Sequence, residues 1–264
     1  MNFQNKTIWI TGASSGIGEA LALEWASYKT KLILSGRNIE KLNLVKKNCE
    51  QKGAHCLVVS LDLTDQKSIT KASKEVFTHH KSVDILVNNG GISQRSMAIE
   101  TPIEVDRKVF DTNFFGAIAL TKEVLPKMVK KGGGHIVVIS SVVGKFGFPL
   151  RTAYSASKHA LQGYFDSLRA EMTPDNIKVT MVSPGRIYTN ISVNAIDKDG
   201  AKHGVMDTGQ ANGMPADVCA KKIIRAVRKK KKDILVGRLE LLMVFFRKYL
   251  PVLYYRMASN VKPT

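Results

Sequence analysis

The chain has 264 residues, enough for one large α/β domain or at most two small ones. Hydrophobic residues make up 44% of it and charged residues 23%, which excludes a disordered chain. The formal net charge of +18 attracts anions such as phosphates, acidic lipid or nucleic acid, but no nucleic-acid motif or aromatic–basic stripe accompanies it, and no nucleic-acid partner is expected.

The opening stretch "MNFQNKTIWITGASSGIG" lacks a basic leader and a long apolar run, so no signal peptide is expected. Its "TIWIT" (Thr7–Thr11) reads as a buried strand. Gly12, Gly16 and Gly18 follow, then an amphipathic helix. Glycines between a strand and a helix let backbone approach a pyrophosphate, whose charge suits the helix N-terminus. The second strand, "KLILS" (Lys31–Ser35), ends where an NAD site usually carries an acidic residue. Ser35, Gly36 and Arg37 stand there instead. Arg37 can pair with a 2′-phosphate, which favours NADP(H), with NAD(H) as the alternative.

Further apolar runs follow: "HCLVVS" (His55–Ser60), "VDILVNN" (Val83–Asn89), "HIVVIS" (His135–Ser140), "KVTMVS" (Lys178–Ser183) and "DILV" (Asp233–Val236). They are apolar on both faces, as strands of a covered parallel sheet are. Helical stretches separate them. One is expected to start with Thr101 as N-cap and Pro102 at its first position, and to stop at "KKGGG", Lys130–Gly134. Another starts near Leu150 and carries "TAYSASKHAL", which sets Tyr154 and Lys158 one turn apart on a shared face. Such alternation predicts an α/β fold: a single-domain, Rossmann-type, doubly wound parallel sheet of about seven strands with helices on both faces. The expected boundaries are 1–237 for the NADP-binding catalytic domain and 238–264 for a basic and apolar helical extension. Within the first, residues 186–214 lack regular pattern and are expected to form a lid.

Three scattered cysteines, Cys49, Cys56 and Cys219, suggest free thiols in a reducing, cytoplasmic setting. The histidines form no ligand cluster, so no metal is expected. The tail "LELLMVFFRKYLPVLYYRM" (Leu239–Met257) places Leu239, Leu242, Met243, Phe246, Leu250 and Leu253 on roughly one helical side. Pro251 should kink or end that helix. With the run Arg228–Lys232 nearby, this face fits a peripheral membrane contact, docking onto the body, or a second subunit.

These motifs closely resemble the short-chain dehydrogenase/reductase family over about residues 5–236. "TGASSGIG" (Thr11–Gly18) is similar to its glycine motif, and "NNGG" (Asn88–Gly91) to its "NNAG", with Gly90 in place of alanine and a looser backbone expected there. Asn113 in "DTNFFG", Ser141, and the Tyr154-x-x-x-Lys158 pair resemble its catalytic set. "SPGRIYT" resembles the segment beside the nicotinamide. The resemblance implies cofactor contacts from Gly12, Ser14, Ser15, Gly16, Ile17, Gly18, Arg37, Asp62, Leu63, Asn89, Gly90, Tyr154, Lys158, Pro184, Gly185, Ile187 and Thr189. It implies an NADPH-dependent interconversion of carbonyl and secondary alcohol, with Tyr154 as general acid/base and Ser141 orienting the oxygen. Lys158 would favour the phenolate and hold the ribose, and Asn113 would anchor a water leading to Lys158. "NNGGISQRS" and the tail resemble a membrane-associated branch acting on lipid carbonyls, implying a lipophilic substrate. Homodimers or homotetramers are common in the family. The alternative is a non-enzymatic NADP-sensing or nucleic-acid-binding protein on the same fold.

Overall fold

The computed structural model describes residues 2–260. Its strands are β1 (Thr7–Thr11), β2 (Lys31–Gly36), β3 (His55–Ser60), β4 (Ile85–Asn88), β5 (Gly134–Ile139), β6 (Ile177–Pro184) and β7 (Asp233–Val236). They form one sheet in the order β3-β2-β1-β4-β5-β6-β7, with every pairing parallel. Alternation along each strand divides the core in two. Ile8, Ile10, Leu32, Leu34, Ile85, Val87, Val137 and Ile139 face one side. There they meet α1 (Gly16–Ala26), α2 (Ile39–Glu50) and α8 (Ala216–Arg228). Trp9, Ile33, Leu86, Ile136 and Val138 face the other, against α3 (Gln66–His79), α5 (Gly116–Lys130) and α6 (Thr152–Glu171). Both faces are therefore covered at the central strands, which is why those strands are mainly apolar, while the edge strands β3 and β7 are only partly buried.

β1 sits between β2 and β4, and the chain reverses its direction of winding there. A crevice opens at the carboxyl ends of strands at such a switch point, where open α/β sheets bind ligands.

The ends of β2, β4, β5 and β6 shift by one or two residues from the apolar runs, and the helical segment after β4 differs in two ways. Thr101 does not cap α4 (Ile103–Phe110), because its hydroxyl donates to Met97 O at 2.7 Å; Pro102 takes the cap position. The helix expected to run unbroken to Lys130 contains a wider π-turn over Asp111–Phe115. The tail forms α9 (Leu242–Tyr249) and α10 (Pro251–Asn260), with Pro251 opening the second helix. One face docks on the body: Tyr254 is buried, donates to Gly147 O at 2.7 Å and meets the Phe146 ring edge-on at 5.9 Å. The opposite face exposes Leu242, Phe245, Tyr249, Val252, Leu253 and Tyr255. No described helix is long and apolar enough to cross a membrane.

Candidate active site

The glycine turn after β1 is held to the end of β4 by a polar clasp. Thr11 Oγ1 accepts the amides of Asn89 (3.0 Å) and Gly90 (2.8 Å), and the Asn89 side chain donates to Thr11 O and Gly12 O. Gly90 is thus anchored, where a looser backbone was expected. Gly18 must be glycine: a Cβ there would run into Gly12 O and stand 2.6 Å from Asn89 Nδ2. Gly12 has φ +63°, a left-handed conformation glycine adopts without penalty. The Ser15 side chain makes no cap bond, so the first amides of α1 stay open towards the crevice. Ser14, Ser15, Gly16 and Ile17 stand in that turn and first helical turn. Thr189 comes across to Gly16, where a Cβ would meet its methyl at 3.0 Å.

Towards the β3 edge of the sheet, Arg37 leaves β2 exposed and Asp62 follows β3. Burial raises the Asp62 carboxyl, but bonds from the Thr64 amide and hydroxyl and the charge of Arg37 outweigh it, and its pKa falls below the ordinary range. Arg37 and Asp62 therefore share one rim. Leu63 reaches back to Gly90, where a Cβ would meet its Cδ1 at 2.7 Å.

A cleft of about 220 Å³ opens beyond the carboxyl ends of β4, β5 and β6. Ile17, Asn89, Ser141, Tyr154, Lys158, Pro184, Gly185, Ile187 and Thr189 all line it. α6 carries Tyr154 and Lys158 on one face, as their spacing requires. The two serines ending the fifth strand separate cleanly. Ser140 donates to Lys158 O at 3.0 Å, whereas the Ser141 hydroxyl donates to Pro184 O at 3.4 Å, accepts Val143 N at 3.3 Å and lines the cleft with Tyr154. Asn113 lies in the π-turn, which turns its side chain inwards: Oδ1 accepts Ile92 N at 2.8 Å, and Nδ2 donates to Ile92 O and Ser157 Oγ. A Cβ on Gly91 would stand 2.9 Å from Asn113 Oδ1 and 3.5 Å from Lys158 Nζ, so the space beside these two groups depends on that glycine.

The electrostatics differ from the sequence expectation. Lys158 donates to Ile139 O at 2.9 Å, and its ammonium lies 5.7 Å from the centroid of the Tyr154 ring. Burial brings its pKa down to about 8. Burial also raises the Tyr154 phenol, against which act the Ser141 hydroxyl and the charges of Arg95 and Arg151. The opposing cations come from outside the Tyr–Lys pair. Arg95 and Arg151 were not read as site residues, nor was Asp207, which joins them. The signal available was Arg95 in the loop after β4 and Arg151 one turn before Tyr154.

The C-terminal segment also reaches the site. Glu240 and Met243 line the cleft, and Glu240 Oε1 accepts the amides of Arg186 (2.9 Å) and Arg238 (3.1 Å). From 186–214, Gln210 donates to Thr189 Oγ1 at 3.2 Å and to Ile187 O.

A covered parallel sheet, a glycine turn at its switch point and a tyrosine–serine–lysine cleft define a dinucleotide-dependent oxidoreductase. Residues 6–200 match the family model described as short chain dehydrogenase, and the chain belongs to that family, whose members are NAD(P)-dependent oxidoreductases acting on CH–OH and C=O groups. It is 44% identical over 269 residues to "Dehydrogenase/reductase SDR family member 7B" of Xenopus tropicalis, covering 98% of this chain and 86% of that one. It is also 44% identical to "Dehydrogenase/reductase SDR family protein 7-like" of Drosophila melanogaster, covering 95% and 78%. Among solved structures, a short chain dehydrogenase/reductase from Burkholderia phymatum in complex with NAD superposes with a TM-score of 0.85, covering 100% and 99% at 22% identity. An alcohol dehydrogenase from Thermococcus sibiricus complexed with 5-hydroxy-NADP gives 0.77, covering 89% and 97% at 25% identity.

Proposed function

We propose that the chain is an NADPH-dependent carbonyl reductase, reversible as an alcohol dehydrogenase, acting on a lipophilic substrate. The observation that carries this reading is the meeting of the Tyr154 phenol, the Ser141 hydroxyl and the Lys158 ammonium in one cleft beside the glycine turn. The open amides of α1, the glycines without room for a Cβ and the exposed Arg37 suit a phosphorylated dinucleotide. When bound, that cofactor supplies hydride to the carbonyl carbon or accepts it from the alcohol. Tyr154 hands its proton to the carbonyl oxygen in reduction and takes the hydroxyl proton in oxidation. Ser141 hydrogen-bonds the same oxygen and fixes its angle. Lys158 would hold the nicotinamide ribose hydroxyls, and Asn113, beside it across the Gly91 gap, would anchor a water that relays protons to Lys158.

NADPH is favoured over NADH because Arg37 can pair with a 2′-phosphate and no carboxylate ends β2. One solved neighbour holds NAD and another a modified NADP, so family membership alone leaves the choice to this rim. Segment 186–214 acts as the lid. Phe146, Phe148, Ile187, Ile191 and Met243 give the cleft its apolar character, which favours a lipophilic substrate. A homodimer or homotetramer is the assembly the family favours. The test is NADPH oxidation across steroid, retinal, quinone, acyl and sugar carbonyls. Turnover confined to apolar ketones or aldehydes supports the reading, and absence of turnover on all of them sinks it.

The exposed apolar face of α9 and α10, with Arg247 and Lys248 beside it, is the contact for a peripheral membrane association. Flotation with anionic liposomes should exceed that of a truncation after Val236; equal flotation removes this part.

A further inference from the structure

Three charged side chains outside the tyrosine–serine–lysine group share the cleft wall. Arg95 follows β4, Arg151 immediately precedes α6, and Asp207 precedes α7 (Thr208–Ala211) at the end of the irregular segment. Arg95 Nε reaches both Asp207 oxygens at 3.3 and 3.1 Å, and one of its terminal nitrogens donates to Oδ2 at 2.5 Å. The other donates to Ser93 Oγ at 2.7 Å and Gln94 O at 2.6 Å. Arg151 adds a 2.7 Å bond to the same Asp207 oxygen and stacks on the Phe148 ring at 4.8 Å. The side chains of Arg95, Arg151 and Asp207 are 4%, 12% and 8% exposed.

Two guanidiniums against one carboxylate leave a surplus positive charge away from water, where charges act more strongly than at a surface. One carboxylate compensates only part of the charge of two buried guanidiniums, and the uncompensated part acts on whatever shares the cleft. Its neighbour in the cleft is Tyr154, one turn of α6 after Arg151. Other charged groups stand around the phenol. Lys158 donates to Ile139 O. Glu240, also in the cleft, is hydrogen-bonded to the amides of Arg186 and Arg238. Arg186 lines the same cleft and packs over Gly209. Lys145, beside Phe146, pairs with Asp233, and Arg247 of α9 stacks on Tyr254 and Tyr255. On α4, which packs against α6, Asp106 has one buried carboxyl oxygen without a hydrogen-bond partner.

We propose that Arg95 and Arg151, joined through Asp207, are positioning residues for Tyr154: their surplus positive charge makes its hydroxyl ready to lose a proton, and Asp207 sets how much of that charge it feels. This rests on reading Tyr154 as the proton-exchanging group. It also gives the irregular segment a stake in the chemistry, since Asp207 arrives on that segment and ties it to the start of α6. Gln94 reinforces the same junction, its buried side chain accepting Ala153 N at 2.9 Å in the first turn of α6.

The test is the pH dependence of kcat/KM for alcohol oxidation, which requires the ionised phenol, in wild type, Arg151→Met, Arg151→Lys and Asp207→Asn. Arg151→Met should move the midpoint up by roughly one pH unit. Arg151→Lys should restore it, and Asp207→Asn should move it down. A bridge that only supports the fold would lower kcat without moving the midpoint. Stationary midpoints, or Arg151→Met and Asp207→Asn moving it the same way, overturn the proposal. Phenolate absorbance gives a readout independent of turnover, each protein being titrated against the same protein carrying Tyr154→Phe. If wild type neither oxidises an alcohol nor reduces any carbonyl of the panel, the enzymatic reading has failed, while the absorbance titration still decides whether Arg151 acts on Tyr154. Thermal unfolding identifies any variant that does not fold. Arg151 is the most exposed of the three side chains, and its methionine and lysine variants carry the test if Asp207→Asn is lost.

Discussion

Replacing Lys158 with methionine should leave the protein at least as stable near neutral pH while ending its turnover. The ammonium is 4% exposed, and burial lowers its pKa from an ordinary 10.5 to about 8. That difference corresponds to about 3 kcal/mol against folding when the group is charged. The sign follows from the proton count. Between the two values the unfolded chain holds the proton and the folded chain has released it, so wild-type stability rises with pH across that window. The penalty is complete below about pH 8 and gone above about pH 10.5. Methionine removes the charge with similar volume but leaves Ile139 O without the 2.9 Å bond from Nζ, a loss of about 1–3 kcal/mol. At pH 7 the variant should therefore match wild type or exceed it by up to about 2 kcal/mol. By pH 10.5 it should fall below wild type by about the value of the lost bond. Urea unfolding followed by tryptophan fluorescence across this range measures the difference directly. A difference that stays flat with pH would refute the reasoning, because the charge would then carry no penalty.

Arg37→Ser should weaken NADPH binding by about ten- to a hundredfold and leave NADH nearly unchanged, which paired binding titrations would show. Gly91→Ala puts a methyl 2.9 Å from Asn113 Oδ1 and 3.5 Å from Lys158 Nζ. Turnover should drop by about a hundredfold, with a smaller change in NADPH affinity. Tyr254→Phe removes the hydroxyl bond to Gly147 O from a buried ring and should lower stability by about 1 kcal/mol, read as a shift in the urea midpoint.

The central strands were readable because burial on both faces leaves few polar interruptions, and the edge strands β3 and β7, though only partly buried, keep short apolar runs. The π-turn over Asp111–Phe115 was not readable, since its residues fit a continuous helix and the extra residue per turn leaves no mark in composition. It matters to the site because it sets the direction of Asn113. The glycine turn and the Tyr154–Lys158 pair are local patterns, so spacing placed them. The Arg95–Asp207 bridge spans 112 residues and one of its ends lies in an aperiodic segment, where periodicity says nothing of contacts. The tail's amphipathic pattern was visible, but that pattern is the same whether a helix face meets a protein body or a lipid surface. The structure divides the expected face: Met243 and Phe246 pack inwards, while Leu239, Leu242, Leu250 and Leu253 stay exposed.

Steady-state NADPH oxidation by Tyr154→Phe, measured beside NADPH affinity, bears most directly on the chemistry assigned to this cleft. The substitution removes one hydroxyl and leaves the ring in place. Turnover should fall by at least about a hundredfold while the affinity changes by less than about twofold. Turnover within about tenfold of wild type would show that the proton comes from elsewhere.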